Sequence, residues 1–286
     1  MKRLAFYALL LCLALSACNK KTKEAEARLE AARAYYEQNE FAAAKIEIDS
    51  LRALYPKELK VQREGLTLMR LVEIKEAERN IAFCDSVLPL RRELLAELQK
   101  DFVFEKDSAY DEVGNFIYRQ QTVERNLERS YIRSGVNEKG DIYIASVYYG
   151  AKPINHTGLT LSLNDGTFVK TASIAYDGGV NYRFENLGFT TEVVTYTNEL
   201  GLDALQFIAE HEKERIRAEY TGGSPYVMYL LDNDKKAIAA AYRFGLVLKD
   251  IIRMTDECEK SAKRIEYLQS RLQATSTPAE PIDKTE

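Results

Sequence analysis

The hydrophobic period of this chain changes twice, and those two changes constrain its fold more than any other feature. Up to about residue 101 the apolar residues recur at helical spacing. From Phe102 to Leu231 β-branched and aromatic residues dominate and alternate, and from Asp232 the helical spacing returns. A stretch with period 2 and a stretch with period 3.6 bury their apolar faces in different elements. The expected class is therefore α+β: N-terminal helical hairpins and long helices bracketing an antiparallel β-sandwich-like module.

Within the first helical part, residues 24–55 are rich in Ala, Glu, Leu and Arg and contain neither Gly nor Pro. Asn39-Glu40 interrupts the pattern, Phe41 restarts it, and Pro56 ends it because proline cannot continue a helix. Residues 58–101 continue helical. Ile74, Ala77, Ile81, Cys84 and Leu88 form a coiled-coil-like seam, Pro89 is expected to kink or break the helix, and Leu95, Leu98 and Phe102 resume the stripe.

Strands are expected at 116–118, 130–133, 142–148, 159–163, 167–169, 180–184, 192–196, 215–220 and 226–230. A short helix at 202–211 interrupts them. Turn signals separate the strands, and Leu163-Asn164-Asp165-Gly166-Thr167 is the clearest hairpin. Asp232 is the expected N-cap of a final helix over 232–273 whose apolar face packs on the N-terminal helices. Antiparallel packing of the two long helices would make a stalk with the β module, 102–231, at its tip. The tail, 274–286, has the Ser, Thr, Pro and acidic composition of a disordered segment.

The first residues carry an address. Lys2 and Arg3 precede an apolar run from Leu4 to Leu15, which is too short for a permanent span of roughly 20 residues and suits a signal peptide, 1–17. Leu15-Ser16-Ala17-Cys18 resembles the bacterial lipobox. That resemblance implies a diacylglycerol on the Cys18 thiol, cleavage before it, and a second acylation of the new N-terminus. Several acyl chains together make anchoring stable, since each buried CH₂ contributes ~0.8 kcal/mol. Asn19, where retained lipoproteins carry Asp, implies outer-membrane sorting. The basic tether of Lys20, Lys21 and Lys23, within 18–23, implies a periplasmic face. The chain as a whole resembles envelope lipoproteins of the Bacteroidota, and no activity comes with that resemblance.

Residues 24–56 have the length of one tetratricopeptide repeat, and Ala31-Ala32, Tyr35, Ala44 and Pro56 resemble its pattern. A fainter echo follows at Gly65, Ala77, Ile81 and Pro89. This resemblance implies two closely packed helices meeting at small residues, and a groove for partner helices.

Chemistry is sparse. The net charge of −4 gives no basic excess for nucleic acid. The two histidines, His156 in a loop and His211 at a helix end, are far apart and offer no converging ligand set, so neither a metal nor any other cofactor is expected. No nucleophile motif, triad signature or phosphate loop is present, and no catalytic residue is assigned. Glu185, Glu192, Asp141, Asp165 and Asp177 lie in or beside strands and are expected on solvated faces and turns. Cys84 and Cys258 lie on the apolar stripes of the two long helices. They read either as a disulfide or as two buried thiols acting as small hydrophobes, and their registers counted from the β module differ by about eight residues, which disfavours a bridge unless the helices are offset. Asp107-Ser108-Ala109 resembles the Bacteroidota O-glycosylation sequon, with Ser108 the candidate, as do Asp49-Ser50-Leu51 and Asp85-Ser86-Val87 on helices.

The expected function is a non-catalytic, lipid-anchored envelope lipoprotein, not an enzyme, presenting its β module to a protein partner. The alternative is glycan or peptidoglycan binding through Tyr148, Tyr149 and Tyr182. The skewed aromatic set, 18 Tyr and 11 Phe with no Trp, weakens that alternative. A hydrolase is the remaining class. An exposed row of tyrosines would favour glycan, and a mixed apolar patch would favour a protein.

Overall fold

The computed structural model describes residues 2–106 and 112–276, with the backbone alone for 2–19 and 275–276. Ser108 therefore lies outside the described residues, as does the side chain of Cys18. Two compact units divide the chain: one of residues 1–86 with 255–286, the other of residues 87–254. Two long helices, α3 (Leu59–Gln99) and α5 (Asp232–Ser276), contribute to both. Among the described residues no helix is long and apolar enough to cross a membrane.

The first unit is helical. α1 (Lys2–Glu37) ends where Asn39 takes the left-handed conformation at φ 60°, as Asn does at helix ends. α2 (Phe41–Leu54) follows, and a turn through Pro56 leads to α3. Small residues set the spacing: Ala25, Ala32 and Ala44 are buried in one core with Leu29, Phe41, Ile48 and Leu51. Gly65 permits closer approach still, because a Cβ there would lie 2.8 Å from the Leu51 side chain. The end of α5 belongs to this unit and runs antiparallel to α3, with Arg264 ion-paired to Glu73 at 2.8 Å and Arg70 donating to the Arg271 carbonyl at 3.2 Å.

Pro89, expected to kink or break α3, does not break it. Proline removes one helical hydrogen bond and crowds the carbonyl of residue i−4. Leu88 is buried immediately before it, and Leu95 and Leu98 pack on the β-module core after it, so burial on both sides carries the helix through. The boundary between the two units falls within a turn of this proline.

The second unit holds two antiparallel sheets. β1 (Phe102–Glu105), β2 (Asn115–Tyr118), β3 (Tyr131–Asn137), β4 (Ile142–Gly150), β8 (Phe189–Thr197) and β7 (Asn181–Asn186) form a six-stranded sheet in the order β1-β2-β3-β4-β8-β7. β10 (Tyr226–Tyr229), β9 (Arg217–Thr221), β5 (Gly158–Ser162) and β6 (Phe168–Lys170) form a four-stranded one in the order β10-β9-β5-β6. The expected α+β class with a sandwich-like module is what the chain adopts. β1 is an additional strand: its Phe102, expected as the last of a helical stripe, instead begins the sheet and stacks on Phe244.

The core between the layers joins Ile132, Ile144, Val194 and Tyr196 of the large sheet with Leu159, Leu161 and Tyr220 of the small one. α4 (Leu202–Glu210) adds Leu205 and Ile208, and α5 adds Ile238, Ala241 and Phe244. Gly245 lets α5 lie close on the large sheet, since a Cβ there would fall 2.3 Å from Ile142. α5 begins one residue earlier than the Asp232 cap predicts: the Leu231 carbonyl accepts from the N–H groups of Asp234 and Lys235, and Asp232 sits in the first turn. The expected 163–167 hairpin is present, with the Leu163 N–H donating to the Thr167 carbonyl at 2.8 Å and Gly166 at φ 93°.

Candidate functional site

Successive residues of a strand face opposite sides of its sheet, and the two faces of the six-stranded sheet differ in kind. The inner face carries Ser146 on β4 and Glu192 on β8, one step apart in register: Ser146 lies across from Val194, and Tyr148 across from Glu192. The loop after β4 brings His156 between them. Ser146 Oγ lies 2.9 Å from His156 Nε2, and His156 Nδ1 lies 2.8 Å from Glu192 Oε2. That is the order and spacing of a serine–histidine–acid triad, which is recognised by geometry rather than by sequence position. Sequence reading missed it, and Glu192 is not on a solvated face.

Geometry alone does not make this cluster a reaction centre. Ser146, His156 and Glu192 are 0%, 1% and 2% exposed, and Ser146 Oγ is also 3.3 Å from the Tyr196 hydroxyl. Glu192 is saturated from within: its carboxylate accepts from the backbone N–H groups of Ile154, Asn155 and His156 at 2.8, 2.8 and 3.1 Å. Burial pushes its pKa up, but the bonds from the His156 ring and these N–H groups together outweigh burial and hold it below the usual carboxylate range. Burial likewise raises Tyr196 to about 12. These groups pin the 151–157 loop to the sheet, and Ser146, His156 and Glu192 are all closed off from solvent in this structure.

The outer face is open. Tyr131, Val147, Val193 and Tyr182 form one cross-strand row, and Tyr149, Thr191 and Phe184 form the next. Residues 123–129 make one wall and the β7–β8 tip, Asn186 and Leu187, the other, around a groove of about 220 Å³. The 123–129 wall is fixed by Arg129, whose guanidinium makes a two-point contact with Asp234 at 2.7 and 2.9 Å and lies 4.6 Å over the Tyr131 ring. This pairing raises the Arg129 pKa. Burial raises that of Tyr131, against the pull of the Arg133 and Arg129 cations.

Two features of the groove lack an internal explanation. Arg133, on its floor, has a buried Nε with no hydrogen-bond partner, and among the described residues no carboxylate lies within ion-pair distance of it. Leu187, at the tip, is 90% exposed and holds φ 52° beside Gly188 at φ 81°. Glycine and asparagine adopt that conformation readily, whereas leucine pays roughly 1 kcal/mol for it. Phe184, Phe189, Leu127 and Val123 are exposed around it.

The tyrosines expected on one face separate. Tyr149 and Tyr182 line the groove, while Tyr148 turns inward and donates to the Lys152 carbonyl at 2.9 Å. Phe189 covers one ring face of Tyr149, stacked at 5.0 Å and 12°. Of the acids expected at turns, Asp165 and Asp177 are there, each held below its ordinary pKa by backbone N–H donors. His211 is paired with Glu214 at 2.7 Å, far in sequence from His156. Among the described residues no three His, Cys, Asp or Glu side chains converge as a metal site would require.

Cys84 and Cys258, which counting from the β module set about two turns apart, are close enough for their thiols to interact, and no disulfide joins them. No family model, no curated protein and no solved structure matches the chain.

Proposed function

We propose that this chain is a lipid-anchored, non-catalytic lipoprotein of the bacterial envelope, facing the periplasm from the outer membrane, whose β module binds a protein partner at the outer-face groove. The observation that carries this reading is the groove itself: an aromatic and cationic floor, an exposed apolar rim at Leu187, Phe184 and Leu127, and an unanswered polar atom on Arg133. A volume near 220 Å³ is below the roughly 300 Å³ at which small-molecule pockets begin. It suits one or two inserted side chains.

The edge strand supports an extended peptide segment as the occupant. β7 ends the sheet order, and the tight turn at 186–189 sets its pairing so that the main-chain N–H and C=O groups of Arg183 and Glu185 point away from β8. At Asn181 those groups are already used by the Asp177 turn. A polypeptide can pair with such an edge and place alternate side chains in the groove. The charges of Arg183 and Glu185 discourage indiscriminate pairing. The buried Nε of Arg133, which has no hydrogen-bond partner, favours an acceptor such as a carboxylate among those side chains. The α1–α2 hairpin is a second contact surface of its own.

Glycan binding is the second reading, favoured by Tyr149 and Tyr182 on the groove wall. The Phe189 stack on Tyr149 and the burial of Tyr131 leave the groove without an exposed tyrosine row among the described residues, and its rim is of mixed apolar character.

Two experiments test this reading. Cys18→Ser should release the chain from the membrane fraction and abolish incorporation of a labelled fatty acid; a chain that stays membrane-bound and labelled contradicts the anchor. In-cell crosslinking of the full chain, followed by mass spectrometry, should recover one protein whose crosslinks map to 123–129 and 182–189. Recovery of peptidoglycan fragments instead would favour the second reading.

A further inference from the structure

The two cysteines sit where α3 and α5 run side by side. Arg70 meets Arg271 and Glu73 meets Arg264, so residue numbers fall along one helix as they rise along the other, and that register brings Cys84 level with Cys258, where the thiols interact. All of these contacts lie within the helical unit. Cys84 is buried and Cys258 is partly exposed. The thiol–thiol contact, with burial, pushes Cys258 up to about 11. At neutral pH very little of it is thiolate, and uncatalysed oxidation is correspondingly slow.

We propose that Cys84 and Cys258 are joined as a disulfide in the envelope, installed through Cys258 by a protein dithiol–disulfide oxidant. The oxidant is implied by the envelope reading; the juxtaposition of the thiols is independent of it. The Cys258 thiolate attacks one sulfur of the donor's disulfide, forming a mixed disulfide and expelling a donor thiolate. The Cys84 thiolate then attacks the Cys258 sulfur, the mixed disulfide breaks, and the second donor thiolate leaves. The two protons from the cysteines pass to those thiolates. The chain loses two electrons and the donor gains them.

A bridge from 84 to 258 closes a loop that contains the whole β module. It constrains the unfolded chain strongly, because the effect grows with loop length, and the melting temperature should rise by on the order of 10 °C when the bridge forms.

The test is acid quenching of cells making the full-length chain, denaturation, alkylation before and after reductant, and peptide mass spectrometry, with the envelope fraction collected in parallel. The expected result is that neither cysteine is alkylated before reductant, both are alkylated after it, and a single Cys84–Cys258 cross-linked peptide is present. Alkylation of both cysteines without reductant, in chain recovered from the envelope, overturns the proposal. Recovery of the chain in the cytosol with both thiols reduced overturns it through the compartment, and then the envelope reading fails as well. In the second arm, purified reduced chain is treated with oxidised glutathione. Intramolecular bridging with the upward melting shift, absent from the C84S/C258S variant, supports the proposal. Disulfide-linked dimers through Cys258 alone overturn it.

Discussion

The two faces of the six-stranded sheet answer their polar groups differently. The inner face gathers a serine, a histidine and a glutamate in triad order and satisfies all three from within: loop N–H groups for the carboxylate, and a tyrosine hydroxyl beside the serine. The outer face leaves an arginine nitrogen unanswered and keeps a leucine exposed in a conformation that costs energy. The arrangement that looks catalytic is the closed one, and the one that looks unfinished is the open one. Distances between side chains describe an interaction; access and unmet valence say whether it is available to a second molecule.

The largest expected effect breaks the inner face. Glu192→Ala leaves three backbone N–H groups and the His156 ring without an acceptor in a buried site, and should destabilise the protein by roughly 3 kcal/mol in denaturant unfolding. A loss below about 0.5 kcal/mol, the range of ordinary surface changes, would mean that the loop is not held this way. The charge has a pH signature. The folded-state pKa of Glu192 is lowered, so its contribution is fully present above the unfolded value near 4.3 and drains away as pH falls through the folded one. Glu192→Gln should flatten that acid limb of the stability curve.

Gly245→Ala and Arg129→Ala follow with comparable losses. The added methyl meets Ile142 at the α5–sheet contact and should cost roughly 1–3 kcal/mol, even though alanine is the better helix former. A neutral or stabilising result would show that α5 lies less closely on the sheet than described.

Arg129→Ala removes the two-point contact with buried Asp234 that fixes the 123–129 wall. It should cost about 2–3 kcal/mol and raise hydrogen exchange over that segment. Unchanged exchange there would detach the wall from the ion pair.

The sequence made the architecture legible wherever one local rule decided it. The switch of period at Phe102 and back at Asp232, the break at Asn39 and the 163–167 turn all follow from composition within a few residues, and all are present. Pro89 did not break α3 because the local penalty was offset by burial of Leu88 and packing of Leu95 on the β-module core, which is tertiary information. β1 was missed because Phe102 continues a helical stripe and also suits a strand. The inner cluster was invisible because Ser146, His156 and Glu192 meet only through the β4–β8 register. The groove was half legible: alternation places Tyr149 and Tyr182 on faces, but only the order of the strands puts both on the same one and sends Tyr148 to the other.

The smallest change in stability separates the two faces best. Leu187→Gly relieves the left-handed strain and should stabilise the fold by up to about 1 kcal/mol, while removing the apolar tip of the groove wall. An opposite response of stability and partner binding is what a functional leucine at that position requires; a gain in both would leave the residue unexplained.

The central claim is that the outer-face groove is where a protein partner binds. Its most direct test places a photoreactive amino acid at Phe184 or Leu187 of the full-length chain in living cells, with Phe168, exposed on the small sheet, as the control position. The account predicts one discrete protein adduct from 184 and 187, absent at 168 and lost when Arg133 is changed to Ala. The same adducts from 168, or none from the groove under conditions where the chain is anchored and folded, would contradict it.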